Sequence, residues 1–363
     1  MHATNDPLTT VTGRRPRRPA VTALTAAALA AAAVSTSAAG AAASPARPAS
    51  SGPTLVVYSA QGYDSAETTA FTKATGIEVS LDDDSTGPLL TKVEAEKNNP
   101  KWGLLWVDGA TAFASLDQQG ILMKGWEPSV AWNSLGAASV PKDKSYVPTG
   151  LTMAGTLVYN SKIVKHPPTT WKQLLAKQWN GEVGMNDPAV SGPTYPFVAG
   201  MMNYLGGVGP GENFYKGMQA NGMHIYLTNG DTLAALEAGI IKVALIQSSA
   251  GIGASLKVPG IKVEFIKPVT SLPSAIGIDA KAPRAEQLEA EKFVDFVLSK
   301  QGQQVMQSGD PTGDSLYWPV IKGVSPLKAL PPLSRVPAQT INPYLWGSRE
   351  NTINTWFTNT IVG

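Results

Sequence analysis

The 363 residues contain no cysteine. Disulfides, thiolate metal sites, a cysteine nucleophile and a lipid-modified cysteine as a membrane tether are therefore excluded. Histidine is scarce, at three residues. His166 precedes Pro167-Pro168 and His224 opens a strand-like run, so neither is placed as a general base. No G-x-S-x-G elbow, metal-spaced histidine pair or P-loop occurs. Arginine is missing between Arg47 and Arg284, which removes bidentate guanidinium clamping of a carboxylate or phosphate. An anion held there must rely on backbone N–H groups, hydroxyls or a lysine. Beyond the leader, no apolar run reaches the roughly 18 to 20 residues that span a bilayer.

The N-terminus speaks for export. Arg14, Arg15, Arg17 and Arg18 precede an alanine-rich apolar run from Ala20 to Val34, and small residues lead through Ala43 into Ser44-Pro45. This order is that of a secretory signal peptide over residues 1–43, followed by a proline-bearing linker over 44–53. Both arginine pairs are followed by proline, so the general and twin-arginine routes both stay open. The chain has 29 basic and 27 acidic residues; the leader takes four arginines and Asp6, leaving 25 and 26. A near-neutral mature chain carries no electrostatic footprint for nucleic acid or an anionic membrane. The expectation is a soluble, exported monomer in the periplasm or outside the cell.

About 310 mature residues, rich in Gly and Pro (35 and 28 in the whole chain), suit many short elements joined by tight turns. Leu55 to Tyr58, Ile77 to Leu81 and Leu104 to Val107 read as strands, separated by helices. Asp64 and Glu67 suggest a capping box, and Gly76 and Gly120 are helix stops. Asp117 falls on an expected solvated helix face. Asp82-Asp83-Asp84 reads as a solvated turn. The alternation restarts near Met153 to Tyr159. A helix is expected from Thr170 to Gln178 and a long amphipathic one from Arg284 to about Met306. Strands alternating with helices indicate two α/β lobes with parallel βαβ units. The expected division is lobe 1 over 54–149, lobe 2 over 150–274, and a return strand, long helix and packing segment over 275–363. Crossings are expected near 149–159 and 268–278, with a ligand between the lobes beyond the carboxyl ends of the strands.

Two segments share one pattern. Asp84-Ser85-Thr86-Gly87-Pro88 and Ser191-Gly192-Pro193-Thr194-Tyr195-Pro196 each follow a strand, open a helix, and offer hydroxyls and a glycine. Free N–H groups at a helix start, with its positive dipole end, attract anions. The same residues also serve as ordinary helix caps. Ser59, Ser248 and Ser249 lie at ends of apolar strands, as do Trp106, a stacking or core residue, and Asp108.

The order of these motifs resembles the family 1 extracellular solute-binding proteins, and within them the ferric-ion-binding-protein-like branch with its phosphonate and organophosphate receptors. The resemblance rests on Leu55-Val56-Val57-Tyr58-Ser59-Ala60-Gln61, Ser85-Thr86-Gly87, Pro168-Thr169-Thr170-Trp171, Asn186-Asp187-Pro188-Ala189 with Ser191-Gly192, Asn229-Gly230-Asp231, and the helix around Phe293 to Ser299 with Gln301-Gly302-Gln303-Gln304. It implies a type II periplasmic-binding-protein fold whose lobes close on a solute, and a membrane ABC permease as partner. It adds Asp187 and Asp231 to the candidate ligand-binding residues. No cofactor is implied. Iron-binding relatives carry adjacent tyrosines where this chain has Ser249-Ala250, and often a histidine where it has Gly62. The expected ligand is therefore an oxyanion-bearing solute, a phosphonate or phosphate ester, with ferric iron the runner-up. A secreted serine hydrolase is the alternative of another class.

Overall fold

Alternating burial along the first apolar run sets the frame. Leu55 and Val57 point to one face of strand β1 (Leu55–Ser59) and Tyr58 to the other, the period of a strand covered on both sides. The computed structural model describes residues 54–310 and 315–363; the leader and most of the linker lie outside them. Helix α1 (Asp64–Thr75) returns the chain to β2 (Val79–Asp83), and α2 (Thr86–Glu96) leads to β3 (Leu104–Asp108), then α3 (Ala110–Gln118). β2 and β3 both pair parallel to β1. After a short α4 (Ser134–Ser139) comes β4 (Val147–Ala154), which leaves the first sheet and continues through Gly155 into β5 (Thr156–Asn160) of a second sheet. Gly155 has φ +70°, and a β-carbon there would meet the Phe197 ring at 1.9 Å, so the joint requires glycine.

The second sheet adds β6 (Val183–Asn186), α5 (Thr194–Tyr204), α6 (Val208–Ala220), β7 (His224–Tyr226), α7 (Asn229–Glu237), β8 (Val243–Ile246), α8 (Ser248–Lys257) and β9 (Ile261–Glu264). Its strand order is β7-β6-β8-β5-β9. The chain then returns to the first sheet through the ten-residue β10 (Val269–Ile278), antiparallel to both β3 and β4. Helices α9 (Arg284–Val297) and α10 (Lys300–Ser308) cover the first sheet. The remainder holds β11 (Ala338–Gln339), α11 (Pro343–Gly347) and α12 (Glu350–Phe357). Each sheet is sandwiched. Leu55, Trp106 and Phe293 fill one side of the first and Leu105, Phe113 and Leu116 the other. Leu157, Met185 and Phe197 fill one side of the second and Val158, Ala244 and Ala250 the other. Two α/β lobes joined by crossing strands are thus present.

Several local expectations need correction. The long helix is two, because Ser299 starts a new one by accepting from the Gly302 N–H at 3.1 Å. Residues 171–179 form two 3₁₀ turns, the first held by a Thr170–Gln173 capping box. Asp64 caps nothing: α1 begins at Asp64 itself, and both Asp64 and Glu67 are buried. Asp82 and Asp83 end β2 instead of forming a turn, and Asp82 pairs with Lys92. Asp117 is buried, receives a 2.9 Å hydrogen bond from Tyr344 Oη and pairs with Lys124 at 2.5 Å. The solvated face expected there is covered by α11, whose Gly347 lies against the backbone of Thr111 and Ser115. Among the described residues no helix is long and apolar enough to cross a membrane.

Candidate binding site

The two helix openings singled out from the sequence touch one another. The Gly87 N–H, in the first turn of α2, donates to the Val190 carbonyl in the loop before α5 at 3.0 Å. A β-carbon on Gly87 would sit 1.9 Å from the Ala189 carbonyl oxygen, and one on Gly192 would sit 2.2 Å from Thr86 Oγ1. Glycine is required at both places by close approach of the lobes. The Gly87 amide, expected free for an anion, is spent on this contact. Thr86 and Thr194 are buried beside it, and neither hydroxyl has a hydrogen-bond partner among the described residues. Ser85 is half-buried, its N–H donating to Asp84 at 2.6 Å.

From this contact a chain of polar side chains runs around the strand ends. Asn186, last in β6, donates to Ser191 Oγ at 3.0 Å and to Asn229 Oδ1 at 2.7 Å. Asn229 reaches Gln247 Oε1 at 3.4 Å. Gln247 Nε2 donates to Tyr317 Oη at 2.8 Å, and Tyr317 donates to Asp108 Oδ2 at 2.9 Å. Gln61 Nε2 closes onto Asp108 Oδ1 at 3.2 Å, while its own N–H donates to Ser59 Oγ. These bonds link the ends of β1 and β3 in one lobe to the ends of β6 and β8 in the other. They gather the N-termini of α5, α7 and α8, with α2 joined through Gly87. Burial pushes the Asp108 carboxyl up to about 6, against hydrogen bonds from Tyr317, Gln61, Gln247 and Ser274 that favour its charged form. Asp187 is buried and accepts from the Ala189 N–H at 2.8 Å, which shapes the loop carrying Ser191 and Gly192.

Four predicted residues lie elsewhere. Trp106 is fully buried in the first lobe's core, edge-on to Tyr63 and Phe293, with its indole N–H shared between Thr149 and Ser274. Tyr195 is buried in the second lobe's core and donates to the Trp346 carbonyl. Ser248 Oγ bonds Thr152 Oγ1 at 2.8 Å and takes the Met153 N–H, pinning α8 to the crossing strand. Asp231 is exposed and caps its own helix through Thr228. Ser249, one residue beyond Ser248, is fully buried in the first turn of α8. Ser59, Ser85, Thr86, Gly87, Asp108, Asp187, Ser191, Gly192 and Thr194 stay with the ring or its margin. Gln61, Asn186, Asn229, Gln247 and Tyr317 join it without having been singled out as ligand residues.

Two cavities flank this arrangement. One of about 500 Å³ lies beside the Gly87 contact, against α2, α3 and α12. A second of about 1030 Å³ lies between α4, β10 and residues 340–344. The ring outranks the larger cavity as a solute site because convergent polar groups at opposed strand ends, not volume, fix a small polar ligand.

With this geometry in place, the relatives are informative. Residues 68–336 match the family described as bacterial extracellular solute-binding protein. The chain belongs to that family. Its members are solute receptors of ABC importers. A Salmonella paratyphi A protein named putative 2-aminoethylphosphonate-binding periplasmic protein is 22% identical over 262 residues, covering 69% of this chain and 75% of that one. Among solved structures, the Actinobacillus pleuropneumoniae periplasmic binding protein AfuA with fructose-6-phosphate bound is similar at TM-score 0.75 and 18% identity, over 85% of this chain and 98% of that one. Iron-bound HitA from Pseudomonas aeruginosa is similar at TM-score 0.69 and 22% identity, over 83% and 98%. These likenesses establish the type II periplasmic-binding-protein fold.

Proposed function

We propose that this solute-binding protein is exported, works as a soluble monomer, and closes its lobes on a small organic oxyanion, a phosphonate or phosphate ester, which it delivers to a membrane ABC permease. The observation that carries this reading is the meeting of the two hydroxyl-and-glycine helix openings in a ring that offers amides and hydroxyls but no arginine. A tetrahedral oxyanion suits such a set, because helix N-termini and hydroxyls supply donors without a bulky cation. The names of the Salmonella relatives and the sugar phosphate in the Actinobacillus protein support it. The hinge lies where β4 runs into β5 and where β10 returns, with residues 54–149 and 150–274 as the moving bodies.

Ferric iron, suggested by the HitA likeness, fits less well. Iron requires hard anionic oxygens; Tyr317 in the ring already donates to Asp108, and three other tyrosines are held elsewhere. Tyr58 bonds Glu96, Tyr63 is buried against Trp106, and Tyr195 donates to Trp346. At Gly62, where iron-binding relatives often carry histidine, an added β-carbon would meet Asp310 Oδ2 at 2.7 Å.

A thermal-shift screen of the purified protein with phosphonates, phosphate esters, amino acids, sugars and ferric iron tests the reading, since a ligand that binds only the folded state raises Tm. Stabilisation by a phosphonate or phosphate ester, recovered chemically unchanged, is expected. Stabilisation by ferric iron alone, or turnover of an ester, overturns it.

A further inference from the structure

Two neighbouring acceptors in the ring have no matching cation. Asp108 is buried, and the groups that hydrogen-bond its carboxylate, Gln61 Nε2 and Tyr317 Oη with Gln247 and Ser274, are all neutral. The ion pairs of the described residues employ Lys92, Lys97, Lys124, Lys144, Lys216, Lys242 and Arg284, and none involves Asp108. Gln61 is only 2% exposed. Donation to Asp108 fixes the sense of its amide, so Oε1 is the atom left over, and that oxygen is buried with no partner. A buried acceptor without a donor is destabilising, and a buried carboxylate without a cation more so. Both costs sit at the carboxyl ends of β1 and β3, on the wall that faces Gln247 of the other lobe.

We infer that Gln61 and Asp108 form a subsite for the ammonium group of a zwitterionic ligand, so that the preferred solute is an aminoalkyl phosphonate or phosphate and not a plain one. The inference rests on the oxyanion reading above, because the two openings at Thr86-Gly87 and Ser191-Gly192 are needed for the other end of the molecule. An ammonium group carries three N–H donors and a positive charge. One donor satisfies Gln61 Oε1 and another the Asp108 carboxylate, which then gains the ion pair it lacks. A ligand hydroxyl would supply a donor to one of these acceptors and leave the charge uncompensated. The missing arginines fit the same division of labour: positive charge at this corner comes from the solute, not from the protein.

The test is isothermal titration of the protein with 2-aminoethylphosphonate and with ethylphosphonate, which lacks only the amine, at pH 7.5. Charge-assisted hydrogen bonds to a buried group predict a preference of about ten- to a hundredfold for the amine-bearing ligand. Asp108→Asn keeps the size and removes the charge, and the preference should collapse to within about threefold. The wild-type comparison needs no variant, so it decides even if Asp108→Asn does not fold. Equal binding of the two phosphonates, or an undiminished preference in folded Asp108→Asn, overturns the inference and leaves the oxyanion reading standing. Fructose-6-phosphate binding without either phosphonate does the same. Failure of every phosphonate and phosphate ester overturns both.

Discussion

Gly87→Ala separates lobe closure from lobe stability. A β-carbon at this position lies 1.9 Å from the Ala189 carbonyl oxygen and 3.1 Å from Val190 Cα. Ordinary contact begins near 3.4 Å, so the lobes must part by roughly 1.5 Å or distort the loop. The obstruction is backbone, and no side-chain rotation relieves it. Overpacking of this kind costs about 1 to 3 kcal/mol, charged entirely to the closed arrangement. If the ligand binds that arrangement, affinity falls by the same free energy, roughly five- to a hundred-and-fifty-fold. Gly87 lies within α2 without a left-handed backbone, so alanine costs nothing in the open lobe and slightly favours the helix. The ligand-free Tm should hold or rise a little while titration calorimetry shows the weakened binding. Gly209→Ala, on α6 with open space around the added carbon, should leave affinity unchanged. Wild-type affinity in Gly87→Ala would refute the claim that the Gly87–Val190 contact belongs to the ligand-bound state.

Three further outcomes follow from the same contacts. Thr86→Ala and Thr194→Ala should each weaken binding of an oxyanion about ten- to a hundredfold with little change in ligand-free Tm, and an unchanged calorimetric Kd would remove that hydroxyl from the site. Asp117→Ala should do the reverse, lowering Tm by several degrees through the orphaned Tyr344 hydroxyl and the loss of one of the two carboxylates that hold Lys124, Asp143 being the other, while sparing affinity. A Tm within a degree of wild type would contradict its burial. Burial raises the carboxyls of Asp64 and Asp108 from the ordinary carboxylate range to about 6. The folded state therefore holds more protons than the unfolded between about pH 4 and 6, and this stabilisation is lost as pH rises through about 6. Ligand-free protein should melt higher at pH 5 than at pH 7.5, and the opposite order would show that these carboxylates are not the dominant titrating groups.

The division into two α/β lobes was legible because apolar runs such as Leu55 to Tyr58 and Leu104 to Val107 carry the signature of strands covered on both faces, and the alternation restarts near Met153 to Tyr159. The two helix openings were legible for a local reason, since a strand followed by hydroxyl, glycine and proline has one common use. What escaped was set by distance along the chain. Tyr317 lies in a proline-rich tail with no periodicity, and only the folded chain brings it 209 residues back to Asp108. Asp117 was misread because α11, far downstream, covers a helix face that polarity alone marks as wet. Asp231 and Asn229 share one motif, yet α7 starts at Asn229, so Asp231 takes the capping position and Asn229 the cleft. Ser248 and Ser249 part in the same way. A helix begins at Ser248, just past the strand end where the sequence places both serines, and about 100° of rotation per residue sends the two hydroxyls in different directions.

Small-angle scattering of the protein with and without a saturating phosphonate tests most directly the central claim that the solute is held between closed lobes. The account predicts a radius of gyration that shrinks on ligand addition to the value given by the arrangement with Gly87 on Val190. Saturated binding with an unchanged radius of gyration, in a protein that is open without ligand, would contradict it.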